Sequence, residues 1–414
     1  MVFSRANVWV HYLLLALLFI TVILFISGPV YSAEIHKIFD ETKKAAVSDE
    51  KPVEGKDIYP DAPDKEFPAE ETEFFRGRAV SVEATDLEEE YQEFFSATQM
   101  VEIEVTSGPL EGELIEIENI ITGQEQFDVE VEEGQEIILT AQSHNGELGE
   151  IHIHDIARDR YIYYALAVFL ILMVLVGGTT GLKTILTLIF TIFMIVQVLL
   201  PLTLRGYNPL ILGILVSAFI AIVTLAVIGG LGKKTLVAII GTVGGVIFAG
   251  ILALVAGGQA HLTGLSTEEA QMLQFADVTA VDPQGILFAG IIIGALGAVM
   301  DIGMSISSAC HEMAEMNPRA TRHQMVKGGL NVGRDVMGTM ANTLILAYVG
   351  SALPLLMLLK LYEMPFLQLI NMDLIATEII RALAGSVGLI LVIPFTAFAA
   401  GQFFVKYKRR QRGE

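Results

Sequence analysis

From Tyr161 to Phe404 the chain is a succession of apolar runs, each about as long as a helix needs to cross a bilayer. A helix rises about 1.5 Å per residue and the hydrocarbon layer is about 30 Å thick, so one span takes roughly 20 mostly apolar residues. The segments 161–176, 182–204, 209–228, 236–255, 286–309, 339–359 and 375–404 meet that requirement, and Pro394 is expected to kink the last. An earlier run from Val8 to Tyr31 makes an eighth. The expected class is a polytopic α-helical membrane protein with about eight transmembrane helices, solvated by the lipid bilayer as its first partner.

Short-loop Lys and Arg resist translocation and so mark the cytoplasmic side. Arg5, Lys183, Lys233, Lys234, Arg319, Arg322, Lys327, Arg334 and the tail from Lys406 to Arg412 all fall on one side if there are eight spans. The loop from Gly257 to Gln284 has neither Lys nor Arg and falls on the other. Both termini are then cytoplasmic and the protein is expected in the plasma membrane. The first span (1–33) reads as a signal anchor, with cleavage near Val30 and Ser32 as the alternative.

Between the first two spans lies an insert of opposite character. Residues 32–160 hold 35 of the 47 acidic residues against 10 of the 26 basic ones, a net of −25. Such a surface repels nucleic acid and anionic lipid, which excludes nucleic acid as a partner and leaves cations or water. Residues 34–73 combine Pro, Lys and acids with scattered apolar positions, the pattern of an acidic flexible tether. From 74 to 160 strand signals take over. Val101, Ile103 and Val105 alternate with glutamates, Ser107-Gly108-Pro109 signals a turn, and Leu114 to Glu118 resumes the extended pattern. Phe127, Val129 and Val131 alternate again, followed by strand signals at 136–140 and 150–156. The expectation is a small all-β extracytoplasmic domain, a barrel or sandwich, with the OB barrel among the forms that five short strands allow. His152 and His154 share one face of a strand, but two ligands are no metal site. Residues 161–405 are left as a seven-helix bundle and 406–414 as a basic tail.

The sixth span carries the chemistry. Gly290, Gly294, Gly297, Asp301, Ser305, Ser308 and Glu312 recur every three or four residues and form one stripe along the helix. Its glycines are expected to admit a neighbouring helix, as are Gly241 and Gly245 in the fifth span. Asp301 lies roughly 22 Å into the span by helix rise. A carboxylate in a membrane segment costs about 3 kcal/mol at a helix centre, so it is expected to be paired, protonated or wetted. Asn342, with Arg334 and Asp335 at the entry to the seventh span, supplies further polar groups. In the last span Glu378 and Arg381 stand three apart, where they can form an ion pair. Ser266-x-x-Glu269 reads as a capping box opening a short amphipathic helix outside the membrane.

The chain lacks G-x-x-x-x-G-K-[ST], H-E-x-x-H, G-x-S-x-G and any cysteine array, since Cys310 is its only cysteine. The common ATPase, zinc and hydrolase signatures are therefore missing, and neither an enzyme nor a cofactor is expected.

The stretches LPLTLRGYNPLILGILVSAFIAIVTLAVIGGLGKKTL, GALGAVMDIGMSIS, NVGRDVMGTMANTLILAYVGSALPLL and EIIRALAGSVGLILVIPFTA, in that order, resemble the YibE/F-like family of bacterial multi-pass membrane proteins. The resemblance implies membrane architecture without assigning an activity. A fainter likeness joins the chain to half of a SecD/SecF or RND permease, which implies a proton-coupling carboxylate at the place of Asp301. The resulting expectation is an ion- or proton-coupled transporter or export-accessory protein built around Asp301, Ser305, Asn342 and the Arg334/Asp335 pair. The alternative is a scaffold that presents its acidic domain to an envelope partner or assembles as a homo-oligomer.

Overall fold

The computed structural model describes residues 71–85, 97–124, 128–144, 147–275 and 281–411. The expected first span, nearly all of the tether and the end of the basic tail lie outside them. The chain divides at Leu172 into two compact units.

The first unit is a single antiparallel sheet of β1 (Glu71–Thr85), β2 (Ala97–Val105), β3 (Leu114–Ile121), β4 (Glu136–His144) and β5 (Glu147–Ile156), in the order β3-β2-β1-β4-β5. β1 pairs with β4 along Glu71–Arg78 and with β2 along Gly77–Thr85. A bulge between Ala79 and Ser81 bends it from one partner to the other. The edge strands β3 and β5 come back into contact, so the sheet curls around one core. Period-2 alternation fills that core with Phe75, Val101, Ile103, Ile117, Ile137 and Leu139, all buried. The β2–β3 connection turns at Gly108, whose φ of 96° and close approach to Phe75 leave no room for a β-carbon.

Two expectations for this unit change. β1, the longest strand, begins at Glu71 inside the expected tether and forms the centre of the sheet. Residues 128–131, expected as a strand, join no ladder. Side chains bind them instead: Gln99 Nε2 donates to the Val131 carbonyl at 3.2 Å, Val131 N–H donates to Gln99 Oε1 at 3.1 Å, and Asn119 Nδ2 donates to the Val129 carbonyl at 2.7 Å.

The helical unit begins within α1 (Asp159–Phe193), which Gly178 interrupts with φ 54° and ψ −129°, between the two expected spans. A π-helical turn (Met194–Leu199) and α2 (Leu200–Leu204) continue it. There follow α3 (Pro209–Gly229), α4 (Lys233–Gln259), α5 (Glu268–Phe275), α6 (Pro283–Met316), α7 (Arg322–Ser351), α8 (Leu353–Leu361), α9 (Phe366–Ile370) and α10 (Asp373–Gln411). Five helical stretches among the described residues are long and apolar enough to cross a membrane: 159–204, α3, α4, α6 and α10. The α7–α8 pair, bent by 60°, is a sixth candidate. The first stretch has 46 residues, or about 69 Å at helical rise, more than twice the hydrocarbon thickness. These helices are compatible with a multi-pass membrane protein. Their outward side chains, such as Leu215, Phe219, Leu254 and Phe398, are exposed and apolar, as contact with lipid requires.

α6 is the axis of this unit. Phe288, Ile291, Ile292, Val299, Ile302 and Ile306 are buried where it packs on α3, α4, α7 and α10. Backbones meet closely between α4 and α10, where a β-carbon on Gly245 would lie 2.9 Å from the Gly388 carbonyl oxygen. Ser307, on the packed side of α6, donates its hydroxyl to the Lys234 carbonyl at 2.6 Å. α7 starts well before the expected Thr339. A capping box opens it, in which Thr321 N–H donates to Gln324 Oε1 at 2.8 Å and Gln324 N–H donates to Thr321 Oγ1 at 3.3 Å. Arg334 and Asp335 therefore stand inside a helix.

Candidate functional site

α6 buries one side completely and leaves the other open. Gly290, Gly294, Gly297, Asp301, Ser305 and Glu312 are exposed, and Ser308 is half-buried. The polar stripe is thus the face that α6 does not use for packing within the described residues. Among the described residues, a β-carbon added at Gly290 or Gly297 would meet nothing within 4 Å, and at Gly294 it would meet the Tyr348 side chain, with its hydroxyl at 2.9 Å. Among the described residues, close glycine contacts are made by Gly213 on Ala289, Gly245 on Gly388 and Gly333 on Ile393. Gly241 packs on the Thr396 side chain in the same α4–α10 contact.

Asp301, Ser305, Ser308, Asn342, Arg334 and Asp335 make no side-chain hydrogen bond or ion pair with one another among the described residues. Arg334 and Asp335 are neighbours on α7, and side chains one residue apart diverge by about 100° around a helix. Asn342 is exposed on the same helix. Among the described residues, nothing in the geometry ties Asp301 to these α7 groups.

A second polar group stands at the α5 end of the unit. Arg381 Nη1 lies 2.8 Å from Glu378 Oε1 within α10. The other Glu378 oxygen, the neighbouring Thr377 hydroxyl and the Tyr348 hydroxyl are buried and have no hydrogen-bond partner among the described residues. Tyr348 lies within electrostatic reach of both Glu378 and Arg381. The sequence signal for it is a phenol inside an apolar run, a hydroxyl that needs a partner.

Beside this group is a cavity of about 350 Å³ walled by the turn before α5, by α5, by the start of α6 and by Arg381. Gly290, the first residue of the stripe, lines it, so cavity and stripe adjoin at one glycine. The α5 wall has its own cap: Ala270 N–H donates to Thr267 Oγ1 at 3.4 Å, which makes Thr267 rather than Ser266 the capping residue.

On the β unit, His152 Nε2 approaches Glu150 at 3.9 Å and the His154 ring meets Phe74 edge-on at 5.1 Å. No group of three His, Cys, Asp or Glu side chains among the described residues is placed to hold a metal ion.

Comparison with known proteins adds the family. The pattern of the YibE/F-like proteins matches residues 165–406, and that of the YibE/F family N-terminal domain matches residues 77–156. Neither a curated protein nor a solved structure matches the chain. Two family patterns in the right order, one on the β unit and one on nearly the whole helical unit, establish that the chain belongs to the YibE/F-like family.

Proposed function

We propose that this protein is an ion-coupled transporter or export-accessory protein of the bacterial plasma membrane, with Asp301 as its coupling carboxylate. The observation that carries the reading is that Asp301 and its stripe occupy the unpacked face of α6 without a hydrogen bond or ion pair among the described residues. A charged group facing hydrocarbon is costly, so an unpaired carboxylate at this depth calls for water, a proton or a mobile cation. A scaffold that used Asp301 and Ser305 to lock helices would bury them between helices, as this unit buries Ser307, Thr242 and Thr396, whereas both lie exposed among the described residues. Eight spans with both ends cytoplasmic put the α5 end outside and the basic α6–α7 loop inside. The β unit on the outer side is an OB barrel in this reading. Its support is the strand order, with β1 shared by β2 and β4 and with β3 approaching β5.

Reconstitution in vesicles under an imposed pH gradient tests the reading. Asp301→Asn should abolish the protein-dependent proton flux, and Ser305→Cys should react with a membrane-impermeant thiol reagent. Unchanged flux in the Asn variant would remove Asp301 from coupling. A Cys at 305 that is inert to the reagent but crosslinks two copies would instead favour an assembly surface. Native Cys310 is buried and gives a low background.

A further inference from the structure

We propose that the cavity between α5, α6 and Arg381 binds an amphiphile with a single anionic head, a phosphate or a carboxylate on an apolar body. The inference does not depend on whether Asp301 couples transport.

The cavity is built rather than incidental. Thr263 Oγ1 donates to Asp373 Oδ2 at 2.6 Å, which fixes the turn before α5 to the first turn of α10. Gln271 Nε2, on α5, donates to the Leu265 carbonyl at 3.1 Å, and Gln284 Nε2, on α6, donates to the Leu262 carbonyl at 2.7 Å. Three helices are thereby held around one space. At about 350 Å³ it lies within the range of small-ligand pockets, roughly 300–1,000 Å³.

Its lining sets the ligand's chemistry. Leu273, Pro283, Ile286 and Leu287 supply apolar wall, and Arg381 supplies the cation. Arginine has five N–H donors in a planar fork suited to phosphate and carboxylate. One of its nitrogens is used by Glu378, and the rest of the guanidinium has no other acceptor among the described residues. Glu269 also borders the space as a carboxylate held by its own backbone N–H and by Thr267 in the first turn of α5, so an anionic head seats against Arg381 and away from Glu269. The surplus donors are therefore on the arginine. An apolar body with a single-charged head matches both walls, and a small hydrophilic anion matches only one.

Native mass spectrometry of the full chain in a maltoside detergent tests this with four probes: phosphatidylglycerol, phosphatidylcholine, decyl phosphate and inorganic phosphate. One equivalent of phosphatidylglycerol or decyl phosphate should be retained, and inorganic phosphate should be lost. Retention of phosphatidylglycerol alone identifies a leaflet lipid as the source, and retention of decyl phosphate alone identifies a free amphiphile; either supports the site. Arg381→Gln should weaken retention about tenfold, as for the loss of one charge-assisted hydrogen bond. Because that variant strands Glu378, the double variant Arg381→Gln/Glu378→Gln is measured beside it. Ala270→Trp, which fills the cavity and keeps the ion pair, should abolish retention. Equal retention of phosphatidylcholine, or retention that survives both the double variant and Ala270→Trp, would overturn the proposal.

Discussion

The two units treat polar groups in opposite ways. In the β unit most are answered: Arg160 meets Glu136 at 3.0 Å, Arg78 meets Glu136 at 3.3 Å, and Gln99 and Asn119 bind backbone that has no strand partner. Water would have satisfied most of these without help. In the helical unit, where an unsatisfied polar group is far more costly, Asp301 and Asn342 have no side-chain partner among the described residues, and Tyr348 and Glu378 leave buried oxygens unpaired among them. A protein that pairs where pairing is optional and leaves groups open where it is valuable points to where ligand or solvent must come in. Helix contact in that unit rests on glycine and apolar packing with small hydroxyls such as Ser307, Thr242 and Thr396 buried in it, and Asp301 lies apart from it.

The strongest break of this comparison is a pair of glycine variants in the helical unit. Gly245→Leu would drive a side chain into the Gly388 carbonyl and the Val392 side chain, where a β-carbon already lies 2.9 and 3.2 Å away. Overpacking of a fitted interior costs about 1–3 kcal/mol, and more where backbone must move. We expect loss of folded yield in detergent. Gly297→Leu, with nothing within 4 Å of its β-carbon among the described residues, should keep wild-type yield and thermal stability. Equal damage from both would mean that the stripe is packed after all.

The expected pattern of stripe and strands reads well from the sequence wherever it depends on a single period. The stripe of α6 follows from helical spacing alone, and β2 and β3 follow from Val101, Ile103 and Val105 alternating with glutamates. Spacing does not say which face packs, and among the described residues the glycines of α4 make the closer contacts. β1 escaped because its bulge between Ala79 and Ser81 shifts the alternation halfway along and its first residues are acidic. Residues 128–131 misled in the other direction, since alternation cannot reveal that Gln99 and Asn119 occupy the hydrogen bonds a strand would make. The cavity joins residues from 264 to 381, a juxtaposition that only the folded bundle supplies.

Gln99 offers the next test. It is buried, and its amide both donates to the Val131 carbonyl and accepts from the Val131 N–H, while its Oε1 also accepts from Asn119 Nδ2 at 3.0 Å. Gln99→Leu leaves those groups unsatisfied at a cost of about 1–3 kcal/mol. Hydrogen exchange on the full chain should show faster exchange in β2, β3 and residues 128–131, with α4 and α6 unchanged. Exchange that stays slow throughout would show that the side-chain substitution for a strand is dispensable.

A smaller effect is expected on the outer face of the same sheet. Glu102 stands directly across from Glu116 in the β2–β3 ladder. Like charges in that position destabilise, and an opposite pair contributes roughly 0.2–1 kcal/mol. Glu116→Lys should slow exchange in β2 and β3 at low salt and lose its advantage as salt is added, because screening shortens to about 10 Å at 0.1 M. An advantage that persists at high salt would assign it to packing instead.

The smallest effect distinguishes paired surface charges from the rest by pH. At the end of β5, Arg158 Nη1 lies 2.7 Å from Asp155 Oδ2. That hydrogen bond, opposed by partial desolvation and aided by the Ile156 N–H, holds the Asp155 carboxyl below its ordinary value of 3.8. A carboxyl whose folded value is depressed contributes its stability above the unfolded value and loses it as pH falls through the folded one. The contribution of Asp155 is therefore complete at neutral pH and disappears below about pH 4. Both side chains are more than a third exposed, so solvent screening keeps the effect under about 1 kcal/mol. Asp155→Asn should lower the exchange protection of β4 and β5 slightly at pH 7, and the difference from wild type should vanish in acid. A difference that grew on acidification would mean that the variant changes the strand itself and not the ion pair.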